Sequence, residues 1–311
     1  MPTFLDAVRR RATVVLTVLL VMAIASLLLA GVVGSVRIPL SDLPAALTDL
    51  AAGKSATLAS TLLDLRLSRA LTAFVTGASL ALAGVMMQAL LRNPLADPYV
   101  LGISSGASVG ALAALMFMCA SWMVDAAALA GAVLVSTLLY LLARRDLRGA
   151  ATAEHSASLL LLTGVILSSA CMALVTLMLS IAPESRLRSM VFWMIGDLAG
   201  APLRALPWVA LAIALVFAVR AARALNVVAL HAEAAVTLGI RVGALRKGLF
   251  FCAGMLTASA VSTAGSIGFV GLIVPHALRF VCGPDHRLLL PAAALAGGSF
   301  LVLADTLART L

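Results

Sequence analysis

Charged residues divide this chain into long apolar windows: residues 12–36, 70–91, 98–124, 126–143, 155–183, 205–219, 248–278 and 288–304. An unpaired charge at the centre of a bilayer is costly and backbone there must satisfy its own hydrogen bonds, so each window predicts a membrane helix. The window 248–278 is too long for one crossing and too short for two with a turn between them. Gly265, Gly268, Gly271 and Pro275 interrupt it, which predicts one span followed by a half-helix ending near Val281, the pattern of a broken helix lining a cavity. Nine crossings result. The first run follows Arg9, Arg10 and Arg11 as a signal-peptide core would, but it is longer than such a core and more spans follow. It is read as a retained first helix.

Composition agrees. Of 311 residues, 63% are hydrophobic and only 11% charged, with a mean hydropathy of +1.13. A soluble domain carries charge on about a quarter of its residues, and this length leaves no room for a separate one beside nine spans. The net charge of +9 raises the question of nucleic acid, but a nucleic-acid surface needs clustered bases with interleaved aromatics, and aromatics are 5% here. Topology accounts for the charge instead. With the N-terminus inside, 14 basic residues and six acids face the cytoplasm, against eight basic residues and seven acids outside, leaving +8 within and +1 without.

Few constellations carry chemistry. Gly53-Lys54-Ser55 resembles the end of a phosphate-cradling loop, but position 48, where that loop needs glycine, is Thr. The energy source must be a partner or an ion gradient. The gradient reading, an ion-coupled secondary transporter, is disfavoured because no Asp, Glu or Lys lies in the middle of a span. A membrane-embedded enzyme would need a nucleophile–base or metal constellation. The four cysteines (119, 171, 252, 282) lack ligand spacing and read as apolar packing, and the four histidines (155, 231, 276, 286) lie near helix ends. Gly84 and Pro94 stand ten positions apart, as do Gly265 and Pro275, which predicts an inverted repeat. Gly102, Gly106 and Gly110, four apart, allow close helix approach.

Two surfaces remain. In residues 225–247, Glu233-Ala234-Ala235 followed by Gly239 predicts a short helix ending at a glycine, either an ordinary connector or a small-faced knob for a partner's groove. Outside, Arg66, Arg69 and Arg309 form a rim suited either to carboxylates on a docking protein or to snorkelling at the membrane interface, with an Asp305–Arg309 pair one turn apart.

RNPLADPYVLGISSGASVGA at residues 92–111 and GSIGFVGLIVPHALRF at 265–280 resemble the permease subunits of ABC importers for ferric siderophores, haem and cobalamin, the FecCD-type family. RLSRALTAFVTGASLALAG at 66–84, FWMIGDLAG at 192–200 and DHRLLLPAAALAGGSFLVLADTLAR at 285–309 extend the resemblance over nearly the whole chain. It implies an all-α polytopic membrane protein with the fold of a type II importer, forming a single transmembrane domain over 1–311 with a coupling loop over 225–247. It also implies a multi-pass permease of the bacterial inner membrane that is itself no enzyme and binds no cofactor. ATP and magnesium would be held by two cytoplasmic ATPase subunits. A homodimer in the bilayer, a periplasmic substrate-binding protein and no nucleic acid complete the implied partners. By the same resemblance Arg66, Arg69 and Arg309 meet acidic residues of the binding protein. Asn93, Pro94 and Leu95 form a cytoplasmic gate, with Ser156 and Ser158 in a second gate segment. Leu230, Glu233, Ala234, Ala235 and Gly239 belong to the ATPase-docking segment, where His231 replaces the usual glycine. The family carries a tenth helix after ADTLAR, whereas this sequence stops at Leu311. For the cargo, the sequence reading leans to haem.

Overall fold

A 34-residue helix, Leu58–Leu91 (α3), organises the molecule because its lower two thirds are rich in Ala, Gly, Ser and Thr, side chains small enough for neighbouring backbones to touch it. Thr57 and Ser60 cap its start reciprocally. In this computed structural model residues 4–34, 36, 38–39, 41–53, 57–144, 153–199, 203–230 and 232–310 are described. Before α3 come α1 (Phe4–Val32) and the short α2 (Leu43–Ala51). After it come α4 (Ile103–Met116), α5 (Ser121–Ala143), α6 (Ala153–Ile181), α7 (Glu184–Ile195), α8 (Ala205–Leu230), α9 (Ala232–Thr237), α10 (Val242–Ala264), α11 (Val270–Cys282) and α12 (His286–Ala308). No strand occurs among the described residues. Seven of these helices (α1, α3, α5, α6, α8, α10 and α12) are long and apolar enough to cross a membrane, and α4 and α11 are shorter apolar helices.

Glycine contacts set the packing around α3. A Cβ on Gly77 would stand 2.2 Å from the Gly297 carbonyl of α12, and one on Gly84 would stand 1.9 Å from the Gly271 carbonyl of α11. Gly106 and Gly110 do the same for α4 against α5, where a Cβ on Gly110 would lie 2.0 Å from the Ala127 carbonyl. Gly102 plays a different part: at φ +78° it is the left-handed cap that starts α4. The close contacts leave α3, α10 and α12 buried while α1, α5 and α6 present Leu, Val and Ile outward, the exposure expected of helices bathed in lipid.

The break in the window 248–278 is where the glycines indicate. Gly265, at φ +71°, ends α10, and α11 restarts at Val270 after Phe269, itself left-handed at φ +68°. The matched Gly–Pro spacings fall on dissimilar structure, however. Gly84 is inside α3 and Pro94 in a turn, whereas Gly265 terminates a helix and Pro275 lies within one. Contacts of Gly84 with Gly271 and of Gln88 with Arg279 show α3 and α11 running in the same direction, so this pair of spacings does not relate two inverted units.

Candidate functional site

Three arginines meet at the end of the molecule where α1 and α12 finish and α3 begins. Arg66 is buried, 7% exposed, and its guanidinium donates to the carbonyls of Gly31 (3.3 Å), Val32 (2.8 Å) and Val36. The Gly31 and Val32 carbonyls are orphan acceptors in the last turn of α1 and Val36 lies beyond it, so Arg66 caps that helix end, balances its negative pole and ties down the chain that follows. Gly34 permits it, because a Cβ there would fall 2.7 Å from the guanidinium carbon. Arg69 grips Asp305 with both edges of its fork, Nε at 3.0 Å from each carboxylate oxygen and Nη2 at 2.6 Å from Oδ1. Arg309 approaches the same carboxylate at 3.5 Å and donates to the Ala30 carbonyl at 2.9 Å. Burial lowers the Arg309 pKa, Asp305 raises it, and the neighbouring Arg69 and Arg66 lower it further. The sequence-predicted rim is thus brought together, but its members differ: Arg66 is committed to the fold, while the Arg69 side chain is the most exposed of the three at 26%.

At the opposite end lies the turn at residues 93–95. Arg92 ends α3 in the left-handed region, and Asn93 folds its side chain back to accept the Leu95 N–H at 2.9 Å. Asn93 and Pro94 are exposed and Leu95 is 65% exposed, while Ala96 and Pro98 are buried. Below the turn, Tyr99 donates to the Ile267 carbonyl at 2.8 Å and the Ser104 and Ser266 hydroxyls pair at 3.0 Å, pinning this segment to the break between α10 and α11. Asp97 caps the 3-10 turn Pro98–Leu101, and burial pushes its pKa up against the pull of the Tyr99 N–H. Ser158 is exposed early in α6; the Ser156 side chain lies outside the described residues.

Residues 225–247 form less of a loop than the sequence indicates: α8 runs to Leu230, α9 spans six residues, and α10 starts at Val242. Gly239 turns the chain at φ +78° with nothing within 4 Å of a would-be Cβ, as the pattern predicts. One assignment needs correction. Ala235 is 0% exposed and packs inward, so it cannot be the face offered to a partner; with six residues, α9 is too short for spacing to reveal which side is covered. Leu230 (78% exposed), Leu238 (69%) and Val236 project instead. The side chains of His231, Glu233 and Ala234 lie outside the described residues.

Sequence reasoning missed an open cleft of about 390 Å³ with mixed polar and apolar walls between α5, α7 and the end of α10, bordered by Ser189, Trp193, Asp197, Thr263 and an Asp125–Arg204 ion pair. Only the helical position of Asp125, just inside α5, could have signalled it. No group of three or more His, Cys, Asp or Glu residues that could hold a metal occurs among the described residues.

Seven long apolar helices, a helix broken between Gly265 and Val270 and a glycine-packed centre describe a polytopic membrane fold. The sequence matches the FecCD transport family over residues 18–311, and the chain belongs to that family. It is 42% identical over 250 residues to a cobalamin import system permease protein, BtuC, of Halobacterium salinarum; the match takes in 79% of this chain and 65% of that protein, so the chain spans just under two thirds of that relative's length. It is 40% identical over 252 residues to the vitamin B12 import system permease protein BtuC of Escherichia coli, covering 79% of this chain and 74% of the relative. A solved structure described as an inward-facing conformation of a metal-chelate type ABC transporter superposes with a TM-score of 0.81 at 29% identity, over 95% of this chain and 90% of the other. With seven long apolar helices, the chain is a multi-pass membrane protein of the bacterial inner membrane.

Proposed function

We propose that this chain is the membrane subunit of an ATP-driven importer that passes cobalamin inward. The observation carrying this reading is the pair of cobalamin-importer relatives at 42% and 40% identity along most of the chain. The lean to haem finds no support among those relatives, and cobalamin replaces it. Nine helices, α4 and α11 included, cross or enter the bilayer with the N-terminus inside, and α7 and the broken α10–α11 border the path. Two copies flank that path, with the exposed turn at 93–95 and the start of α6 around Ser156 and Ser158 at its inner mouth. Leu230, Val236, Leu238 and Gly239 present the ATPase-facing surface, with Glu233 and Ala234 in the same segment. Arg69 and Arg309 face the extracytoplasmic binding protein while Arg66 holds their platform. ATP and magnesium belong to the ATPase, and this subunit performs no covalent chemistry. The cargo assignment is tested by the absorption spectrum of the molecule held by the cognate binding protein: corrinoid bands are expected, and a haem Soret band would overturn cobalamin.

A further inference from the structure

We propose that Arg92 and Asn226 are the positioning residues that carry movement of the α8–α9 elbow to the 93–95 turn and to α12, an inference that rests on the importer reading above. The last turn of α8 is held from two sides. On one, the Arg92 guanidinium donates to the Val228 carbonyl at 2.9 Å, filling an acceptor that the end of a helix leaves orphaned. On the other, Asn226 donates to the Asp285 carboxylate at 2.6 Å and its carbonyl oxygen accepts the His286 N–H at 2.9 Å, with the His286 ring nitrogen Nδ1 2.8 Å away. Asp285 also accepts the Arg287 N–H at 2.9 Å, so Asn226 is bonded directly into the cap of α12. Arg92 is the residue immediately before the exposed turn, and it sits at φ +49°, a region costing a non-glycine residue roughly 1 kcal/mol. Its backbone therefore starts the turn while its side chain measures the distance to α8.

The apolar packing at this joint is incomplete. A narrow cleft lined by Leu90, Leu225, Val228, Leu245 and Leu249 separates α3, α8 and α10, and Arg92 lies along its edge. The cleft, bordered by Arg246 as well as Arg92, holds only about 30 Å³, so side-chain packing across this joint is thin and the hydrogen bonds to the end of α8 set how it and the turn move together. Displacement of α9 by an ATPase then pulls Arg92 through Val228 and α12 through Asn226.

The assembled transporter, with Cys119 and Cys252 replaced and a spin label at position 95, reports the distance across the two-fold axis with and without ATP. In the parent protein the distance changes with nucleotide. In Arg92→Met and Asn226→Leu that change should fall at least twofold while the ATPase still co-purifies and hydrolyses ATP, and Arg92→Lys, which can still donate to a carbonyl, should restore it. A full distance change in Arg92→Met overturns the inference and leaves the importer reading standing. A parent distance indifferent to nucleotide overturns the gate reading and the inference with it.

Discussion

At the scale of single residues, chemically identical side chains do different work according to what the fold places around them. Arg66 and Arg69 are three positions apart on α3, and the sequence offers no means of separating them. The difference arises because the end of α1 and the chain after it fold over Arg66, delivering three carbonyls to it, whereas Arg69 meets a carboxylate. Arg66→Met should therefore lower the thermal stability of the detergent-solubilised protein by about 2–3 kcal/mol, the cost of orphaning buried acceptors, and a melting curve measures it. Arg69→Ala should instead slow association with the binding protein and weaken its salt dependence, read by stopped-flow mixing, with a smaller loss of stability. Asp285 adds a pH dependence. Burial tends to raise its pKa, but the Arg287 N–H, the Asn226 amide and the charges of Arg287 and His286 outweigh burial and hold it below the usual carboxylate value. A depressed folded pKa contributes stability that is present above the unfolded carboxylate value and is lost as pH falls through the folded one. Acidification from pH 6 to 3 should thus destabilise the parent protein more than Asp285→Asn, as melting curves across that range will record.

Elements were legible where physics is local and obscure where it is not. Charge spacing put a window on each long apolar helix but began α3 at 70 instead of Leu58 and ended α8 at 219 instead of Leu230, because Asp64, Arg66, Arg69, Arg220 and Arg223 lie inside those helices near their ends. Gly265 with Gly268 and Gly271 located the break in the window 248–278, because backbone geometry leaves its mark in residue type. The covered face of α9 left no such mark: its six residues are short of two turns, and packing against α8 and α10 alone decides that Ala235 points inward. Ala235→Trp should consequently disrupt the permease itself, lowering its melting temperature before any partner is added. Leu238→Ser, altering a residue 69% exposed, should keep stability and reduce ATPase co-purification. The central packing makes a sharper contrast between glycines. Gly84→Ala would drive a methyl into the Gly271 carbonyl, backbone that cannot turn aside, and should cost about 1–3 kcal/mol or more. Gly268→Ala, with nothing within 4 Å, should be nearly neutral in the same thermal assay.

For the whole molecule, the two ends of the bundle are joined by contacts that run through its middle. The segment just after α7 reaches the break through the Asp197 N–H, which donates to the Ala264 carbonyl at 2.9 Å, and the break reaches the segment that follows the 93–95 turn through Tyr99. None of this was readable from composition or spacing, since Tyr99 and Ile267 are 168 positions apart. The scarcity of acids in the middle of the apolar windows, by contrast, was plain in the sequence, and it is the reason the sequence disfavours an ion-coupled carrier. The most direct test of the account is uptake of radiolabelled cobalamin into proteoliposomes containing this chain, its ATPase and its binding protein, with ATP or an imposed proton gradient as the only energy source. Uptake that requires ATP and ignores the gradient is the predicted result; uptake driven by the gradient without ATP would contradict it.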